Sequence, residues 1–396
     1  MIGVIIDSSD VLAARDWSNA ESIHIRTHRL KYRGLLLHAL KYAFWALKPG
    51  GELVIEDSGP SEDFTSPFTI PFSLVRMVTF QALGSETKTL EIDITRNLIR
   101  LQRVVKPPSN SWQAGVIISG NPSETDNLIK CIEGLAAQPE LQHTDGILLC
   151  GPYGANKILN DMPGKGFLRM VPYEYSESKY FPICEKKNHL IHAMTADRFV
   201  ILHTRIRLDP NVLRHAPKEF DIAAPQIWTE SGGLRRAHIS CTIQDAGLPY
   251  RYSRISNLGT RSGGDPRLQM GKRQPFVDGG AFFASRRAYL NCPLNNQLGW
   301  GDSEDVEWCN RALSMGLLVD YWPDVQGVTM VDKLSTAMDL PSTVFCSTVQ
   351  LSSSRAWSGG SPLLGIFAQF QACRAQNLHQ ASCPNPKESS LTIKMS

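Results

Sequence analysis

The sequence has no two cysteines close together along the chain. Nine cysteines are present in 396 residues, an odd number, and none forms a C-x-x-C spacing. Such a scattered set argues against a disulfide framework or a zinc site and favours a reducing compartment. The cysteines are Cys131, Cys150, Cys184, Cys241, Cys292, Cys309, Cys346, Cys373 and Cys383.

Long apolar runs are also missing. Residues 1–7 lack the basic region and the long apolar core of a signal peptide. The most apolar stretch, residues 34–47, is interrupted by His38 and Lys41, and it is too short to span a bilayer. The sequence therefore predicts a cytoplasmic protein without a transmembrane segment.

A strong excess of one charge is absent as well. The formal net charge is +3, which gives no reason to expect nucleic acid or an anionic membrane as a partner. The apolar and charged fractions, 42% and 20%, are those of a globular protein. The length exceeds one average domain and suggests two, with a tail.

The first hundred residues alternate between helical and strand patterns. Apolar residues at helical spacing predict a helix over 36–47, and the Pro and Gly of residues 48–51 are expected to end it. Residues 52–57 read as a buried strand, and residues 90–95 and 98–105 as two further strands. This unit resembles the later half of class I methyltransferases that use S-adenosylmethionine, with the last two strands as the closing antiparallel pair of that fold.

The cofactor-binding part of that fold has no counterpart in the sequence. In the family the cofactor lies on a Gly-rich turn after the first strand, where the backbone must approach closely. No such turn precedes Ser22. Residues 1–106 are therefore predicted to be a partial methyltransferase-like domain, and the sequence argues against S-adenosylmethionine as its cofactor.

Residues 107–111 are a Pro/Ser/Asn linker, after which strand and helix patterns alternate. Strands are predicted at 115–119, 146–150 and 198–202, with a helix from Glu124 that Ser123 would cap. Such alternation implies a parallel, doubly wound α/β sheet, whose ligands bind at the carboxyl ends of the strands.

The most informative stretch is residues 299–312. A Gly/Trp loop leads into a helix whose first turn carries the acid pair Glu304 and Asp305. A carboxylate held there can accept a proton from a hydroxyl nucleophile. The alternative is that these acids only cap the helix and interact with its dipole.

The pattern Gly-Trp-Gly-x-x-Glu-Asp-x-Glu-x-x-x-Arg, ending at Arg311, resembles the acceptor-side motif of inverting glycosyltransferases of the GT-A fold. It is similar to family-2-like enzymes and to the C-terminal part of galactosyltransferases. The resemblance implies a GT-A-type Rossmann-like mixed-sheet domain over residues 112–335. It makes Asp305 the general base and Glu304 the holder of the acceptor hydroxyls, with an acceptor-binding loop of Trp300, Gly301 and Asp302.

The same resemblance implies a nucleotide-sugar donor bound at the carboxyl ends of the strands. Phe276 to Phe283 is expected to be one strand whose Gly pair approaches a ligand. The implied donor-binding residues are Ser119, Gly120, Asn121, Glu124, Cys150, Gly151, Lys187, Asn188, His203, Thr204, Arg205, Asp278, Gly279 and Gly280.

The acids of the family's Asp-x-Asp metal motif are missing. His203, Thr204 and Arg205 stand in their place. Two explanations compete. Arg205, with Arg207 or Lys187, replaces Mn²⁺ or Mg²⁺ by holding the diphosphate with fixed cations, or the site has lost both its metal and its catalytic power. No metal ligand is therefore assigned.

Residues 336–396 have linker-like composition and are expected to carry little fixed structure. The function predicted is transfer of a sugar from a nucleotide-sugar to a saccharide or other hydroxyl acceptor, with inversion. The alternatives are a catalytically degenerate binding or scaffold module and an S-adenosylmethionine-dependent methyltransferase fragment.

Overall fold

A computed structural model describes residues 2–5, 7–30, 35–57, 70–152, 162, 164–174, 181–230, 235–237, 239–244, 252–257, 274–299 and 304–331. The expected tail and the expected acceptor residues Trp300, Gly301 and Asp302 lie outside this set.

Five strands and three helices make up the part of the described chain that precedes the linker. The strands are β1 (Ile2–Ile5), β2 (Ala20–Arg26), β3 (Leu47–Glu56), β4 (Thr87–Asp93) and β5 (Leu98–Arg103). The helices are α1 (Ser8–Ala14), α2 (Leu35–Ala46) and α3 (Phe72–Leu83). We call this the N-terminal sheet; its order is β1-β2-β3-β5-β4. Strands β1 to β3 are parallel and β5 is antiparallel to both neighbours, which confirms the predicted antiparallel pair.

The helix predicted over 36–47 is confirmed as α2, which ends at Ala46, before the Pro and Gly that were expected to end it. Residues 48–51 lie inside β3, where the pairing with β2 passes from Leu47–Ala20 to Glu52–Ser22. The extra residues form a bulge, and Gly50 takes the left-handed conformation there, with φ of 81°. Within the described chain, no helix combines the length and the apolarity needed to cross a membrane.

After the linker, a nine-stranded central sheet and a three-stranded small sheet follow. The strands are β6 (Trp112–Ile117), β7 (Ile147–Gly151), β8 (Leu168–Pro172), β9 (Arg198–His203), β10 (Ile206–Leu208), β11 (Ile222–Thr229), β12 (Arg235–Ala237), β13 (Ile239–Gln244), β14 (Tyr252–Asn257), β15 (Gln274–Val277), β16 (Ala281–Ser285) and β17 (Val319–Thr329). The helices are α4 (Thr125–Ala136), α5 (Ile183–His192), α6 (Arg286–Asn291) and α7 (Glu304–Ser314). Short 3₁₀ turns lie at Thr27–Arg29, Pro122–Glu124, Pro139–Leu141, Lys165–Phe167 and Val212–His215.

The central sheet has the order β10-β17-β11-β16-β9-β6-β7-β8, with β12 added beside β11. Strands β9, β6, β7 and β8 are parallel, whereas β16 runs antiparallel between β9 and β11. The small sheet has the order β14-β13-β15. Helix α4 packs on one face of the central sheet, and α5, α6 and α7 pack on the other. The predicted doubly wound, mixed α/β sheet is confirmed.

Buried charges join the N-terminal sheet to the central sheet. Arg103 donates two hydrogen bonds of 2.8 Å to the carboxylate of Glu219, and the Arg103 side chain is 0% exposed. Lys41 forms a 3.0 Å ion pair with Asp221, with both side chains 1% exposed. Tyr42 donates a 2.8 Å hydrogen bond from its hydroxyl to Asp320. These contacts fix α2 and β5 against the ends of β11 and β17.

Candidate functional site

The centre of the site is the turn of Asp278, Gly279 and Gly280. The sequence predicted one strand over 276–283, and this prediction is wrong. The chain leaves the small sheet after Val277 and enters the central sheet at Ala281. Periodicity cannot reveal such a break, because both strands are apolar and only their different partners separate them.

The two glycines of this turn bring distant side chains together. A Cβ on Gly280 would overlap Nη2 of Arg205 and lie 3.0 Å from its Cζ. A Cβ on Gly279 would lie 3.0 Å from Oε1 of Glu304 and 3.5 Å from Oδ2 of Asp305. Gly280 therefore contacts a guanidinium, and its neighbour Gly279 contacts the acid pair.

The acid pair begins helix α7. Asp305 accepts a 3.0 Å hydrogen bond from the Gly279 amide through Oδ2, and Oδ1 accepts from the Val306 amide at 2.9 Å. Glu304 is 8% exposed, and its Oε1 lies 3.3 Å from Nζ of Lys187. The expected helix is present, and its first turn is anchored to the turn of residues 278–280.

The surroundings of Asp305 disfavour its charge. Burial, followed by the negative charges of Glu304 and Asp278, raises the pKa of Asp305 from 3.8 to about 7. The Gly279 amide and the charge of Lys187 act in the opposite direction. A carboxyl group with a pKa near neutrality can both accept and release a proton at physiological pH.

A cleft of about 510 Å³ lies beside Arg205, at the carboxyl ends of β6 and β9. This is where a doubly wound sheet binds its ligands. It contains five of the residues predicted from the sequence together with six others. The lining residues are Ile117, Ser119, Ser123, Glu124, Asn127, Phe181, Ile183, His203, Thr204, Arg205 and Val331.

The Glu124 carboxylate accepts hydrogen bonds from two of the loops that form this cleft. Its Oε1 accepts hydrogen bonds from the amides of Ser119 and Gly120, at 2.6 and 2.8 Å. Its Oε2 accepts from the Thr204 hydroxyl at 3.2 Å. Gly120 is left-handed, with φ of 82°, and a Cβ there would overlap Pro152. One carboxylate thus ties the loop after β6 to the loop after β9.

The adjacent cap differs from the prediction. Ser123 was expected to cap the helix, but the N-cap residue of α4 is Glu124, whose side chain makes no capping hydrogen bond. The capping side chain in this loop is Asn121, whose Oδ1 accepts from the Ser123 amide at 3.0 Å. This cap begins the 3₁₀ turn Pro122–Glu124 that precedes α4. Asn121 and Ser123 therefore shape the loop at the cleft together.

His203 and Arg205 form the wall nearest the acid pair. The guanidinium Nη1 of Arg205 lies 2.9 Å from Nδ1 of His203. Because a guanidinium only donates, His203 Nδ1 is the acceptor, and the proton of the neutral ring is on Nε2. The His203 amide donates to the Gly280 carbonyl at 2.9 Å, and the Met330 amide donates to the Arg205 carbonyl at 2.8 Å.

Four other predicted residues are not brought to the cleft. Cys150 is fully buried, its thiol pKa is raised by burial to about 11, and it donates to the Lys186 carbonyl at 3.8 Å. Gly151 packs against the Ile118 carbonyl. Asn188 donates to the Leu294 carbonyl at 2.8 Å and accepts from the Tyr289 hydroxyl. Lys187 instead contacts the acid pair, with its Nζ 3.3 Å from Oε1 of Glu304.

Sequence reasoning missed Asn127, Phe181 and Ile183 as cleft residues. Asn127 follows Glu124 by three positions at the start of α4, so the two share a helix face. That spacing was a usable signal. Ile183 is the first residue of α5 and Phe181 precedes the helix by two positions, and nothing in their local pattern distinguishes a cleft wall from a core.

No family model matches the chain, and no curated protein matches it. Among solved structures, S. aureus TarS 1-349 is similar at 10% identity and a TM-score of 0.38, over 56% of this chain and 60% of that one. GalNAc-T7 with UDP, GalNAc and Mn²⁺ is similar at 11% identity and a TM-score of 0.41, over 66% of this chain and 48% of that one. The match thus spans about half to three fifths of these two chains.

Proposed function

We propose that this protein transfers a sugar from a nucleotide-sugar donor to a hydroxyl acceptor with inversion. The observation that carries the proposal is the position of Asp305. It is a carboxyl group of raised pKa, joined by the two-glycine turn to a guanidinium at the edge of an open cleft. A base and a fixed cation on opposite sides of one reacting centre suit displacement of an anionic leaving group.

In the proposed reaction the acceptor oxygen attacks the anomeric carbon of the donor sugar while its proton passes to Asp305. The new carbon–oxygen bond forms as the bond from the anomeric carbon to the diphosphate breaks. The diphosphate oxygen leaves with the electron pair. Because attack and departure occur on opposite faces of the sugar ring, the configuration inverts. The products are the glycoside, the nucleoside diphosphate and protonated Asp305.

The donor would lie in the cleft. Ser119 and Glu124 line it after β6, with Gly120 and Asn121 in the loop between them, and Thr204 lines it from the loop after β9. Asp278, Gly279 and Gly280 would adjoin the donor sugar, since their turn lies between the cleft and the acid pair. Glu304, with the sequence-predicted Trp300, Gly301 and Asp302, would face the acceptor, which is a saccharide or another hydroxyl compound.

The residues present do not fit a divalent cation at the place of the missing acids. His203 Nδ1 already accepts from Arg205, whose guanidinium occupies the space over Gly280. Among the described residues, no three His, Cys, Asp or Glu side chains converge as a metal-binding group. Arg205 would instead face the diphosphate, because a guanidinium pairs with phosphate oxygens through two hydrogen bonds.

A thermal-shift screen tests the donor class. The full chain is melted with UDP-, GDP-, CDP- and dTDP-sugars, each with and without Mn²⁺. We expect one nucleotide to stabilise the chain without metal, by about 2.7 kcal/mol at a hundredfold excess over Kd. Stabilisation that requires Mn²⁺ would contradict the role of Arg205. A cooperative melt that no donor shifts would favour a non-catalytic binding module.

Gly280→Ala tests the guanidinium position. The added methyl group would overlap Nη2 of Arg205 and displace this flexible end, so donor affinity should fall roughly tenfold with little change in Tm. Gly166→Ala is the matched control, because a Cβ there has no atom within 4 Å. Equal donor affinity in the parent and in Gly280→Ala would show that Arg205 does not bind the donor.

A further inference from the structure

Helix α5 carries three consecutive polar side chains that are all buried, each directed to a different loop. Lys186 is 0% exposed and donates to the Ile118 carbonyl, and Asn188 bonds the Leu294 carbonyl. Between them, Lys187 is 1% exposed and reaches the acid pair. Buried lysines cost free energy unless their charge and donors are satisfied. The partners of the buried Lys187 ammonium therefore indicate what this residue does.

The Lys187 ammonium bridges the two parts of the site. It donates a 3.0 Å hydrogen bond to the Gly279 carbonyl and lies 3.3 Å from Oε1 of Glu304. The same Gly279 donates its amide to Asp305. Nζ of Lys187 and Oδ2 of Asp305 lie 3.2 and 3.5 Å from one point, the position that a Cβ of Gly279 would occupy. The ammonium and the carboxyl group are thus linked through a single residue.

We propose that Lys187 is a positioning residue for Asp305, which fixes Glu304 and the Gly279 carbonyl and supplies a buried positive charge to the acid cluster. This inference rests on the proposed function only in giving Asp305 the role of base. It replaces the donor-binding role that the sequence suggested for Lys187.

The charges around Asp305 determine in which direction Lys187 shifts its pKa. Glu304 and Asp278 add negative charge and raise the pKa of Asp305, whereas Lys187 lowers it. Loss of the ammonium should therefore raise this pKa further, since an opposite charge at 4–6 Å shifts a carboxyl group by about one unit or more. The titratable groups whose charges interact with that of Asp305 are Glu304 and Cys309 on its own helix, Asp278 in the turn, and Cys184 and Lys187 on α5.

The test is a direct titration of Asp305 in the full chain. The ¹³Cγ resonance of Asp305, assigned by its absence in Asp305→Asn, is followed against pH. We expect the midpoint to rise by about one unit in Lys187→Met and to fall in Glu304→Gln. In Lys187→Met/Glu304→Gln the two changes should largely cancel.

Lys186→Met is the matched control, because it removes an equally buried lysine from the same helix without touching the acid pair. Its Asp305 midpoint should equal that of the parent, whatever its effect on stability. An unchanged midpoint in folded Lys187→Met, or the same shift in Lys186→Met, would overturn the inference.

The pH profile of transfer separates this inference from the proposed function. In Lys187→Met, kcat/KM at pH 7 should fall roughly fivefold and recover at higher pH, as the ionised fraction of Asp305 drops from about a half to about a tenth. A shifted titration in a chain that transfers no sugar would support Lys187 and overturn the function. A shifted titration with an unshifted rate profile would overturn the link between the two.

Discussion

Asp305→Asn should reduce sugar transfer by a factor of about 10²–10⁴ while leaving donor-induced stabilisation intact. The substitution keeps the shape of the side chain, and the amide oxygen can still accept from Gly279. It removes the capacity to take a proton and the acceptor that Oδ1 presents to the Val306 amide. Turnover and donor-dependent thermal shift, measured on the same preparation, check the two halves of this expectation.

The same variant should be more stable than the parent above neutral pH. Asp305 titrates near 3.8 in the unfolded chain and near 7 in the folded one, so the folded protein loses stability as pH rises from about 4 to about 7. Above pH 7 the cost is constant, with an upper limit of about 4 kcal/mol for this partly buried group. Asparagine carries no such cost. Chemical denaturation at pH 5 and pH 8 should show the gain growing with pH.

Glu307→Gln is the control for both measurements. Glu307 lies on the same helix and is 5% exposed, but its carboxylate pairs with Arg311 at 2.8 Å and not with the turn of residues 278–280. This variant should lose stability and keep transfer. Undiminished turnover in Asp305→Asn would exclude Asp305 as the base.

Arg103→Met should destabilise the whole chain by about 3–5 kcal/mol, a fall in Tm on the order of 10 °C. The guanidinium is fully buried, pairs with both oxygens of Glu219, and donates to the carbonyls of Phe44, Trp45 and Leu47. Its removal leaves a buried carboxylate and several carbonyls without their donors. The loss is measured by chemical denaturation.

The pH dependence of this loss identifies its cause. Burial already raises the pKa of Glu219 in spite of Arg103, and without the arginine the folded state favours the protonated carboxyl group further. The loss should therefore be larger at pH 8 than at pH 5. Arg100→Met is the control, because Arg100 lies on the same strand but pairs with Glu52 and Glu91 at an exposed face, where removal should change little. Equal effects of the two substitutions would show that the buried pair contributes nothing particular.

The sequence predicted a helix or strand correctly where the spacing of its apolar residues alone defines it. Helix α2, helix α4 and strands β6, β7 and β9 lie within a few residues of their predicted positions, because apolar spacing specifies which face of each is buried. Helices α1 and α3 were not predicted. Helix α2 ends before the Pro and Gly of residues 48–51 as expected, but the strand predicted from residue 52 begins already at Leu47 and carries a bulge there.

The candidate site could be predicted only in part for a different reason. Glu304, Asp305 and Arg205 carry recognisable residue types, but the turn that joins them is defined by partners in two different sheets. Lys187 meets Glu304 across 117 positions, so no window of sequence reveals that its charge is turned inward.

The buried pairs between the N-terminal and central sheets also set an order of events during synthesis. Arg103 leaves the ribosome 116 residues before Glu219, and Tyr42 leaves it 278 residues before Asp320. At about 5–20 residues per second, Arg103 waits on the order of 10 s for its carboxylate. During that interval the face of α2 that will be covered is open to water and to other nascent chains. Slow translation between these segments therefore prolongs the exposure of this face and with it the risk of misassembly.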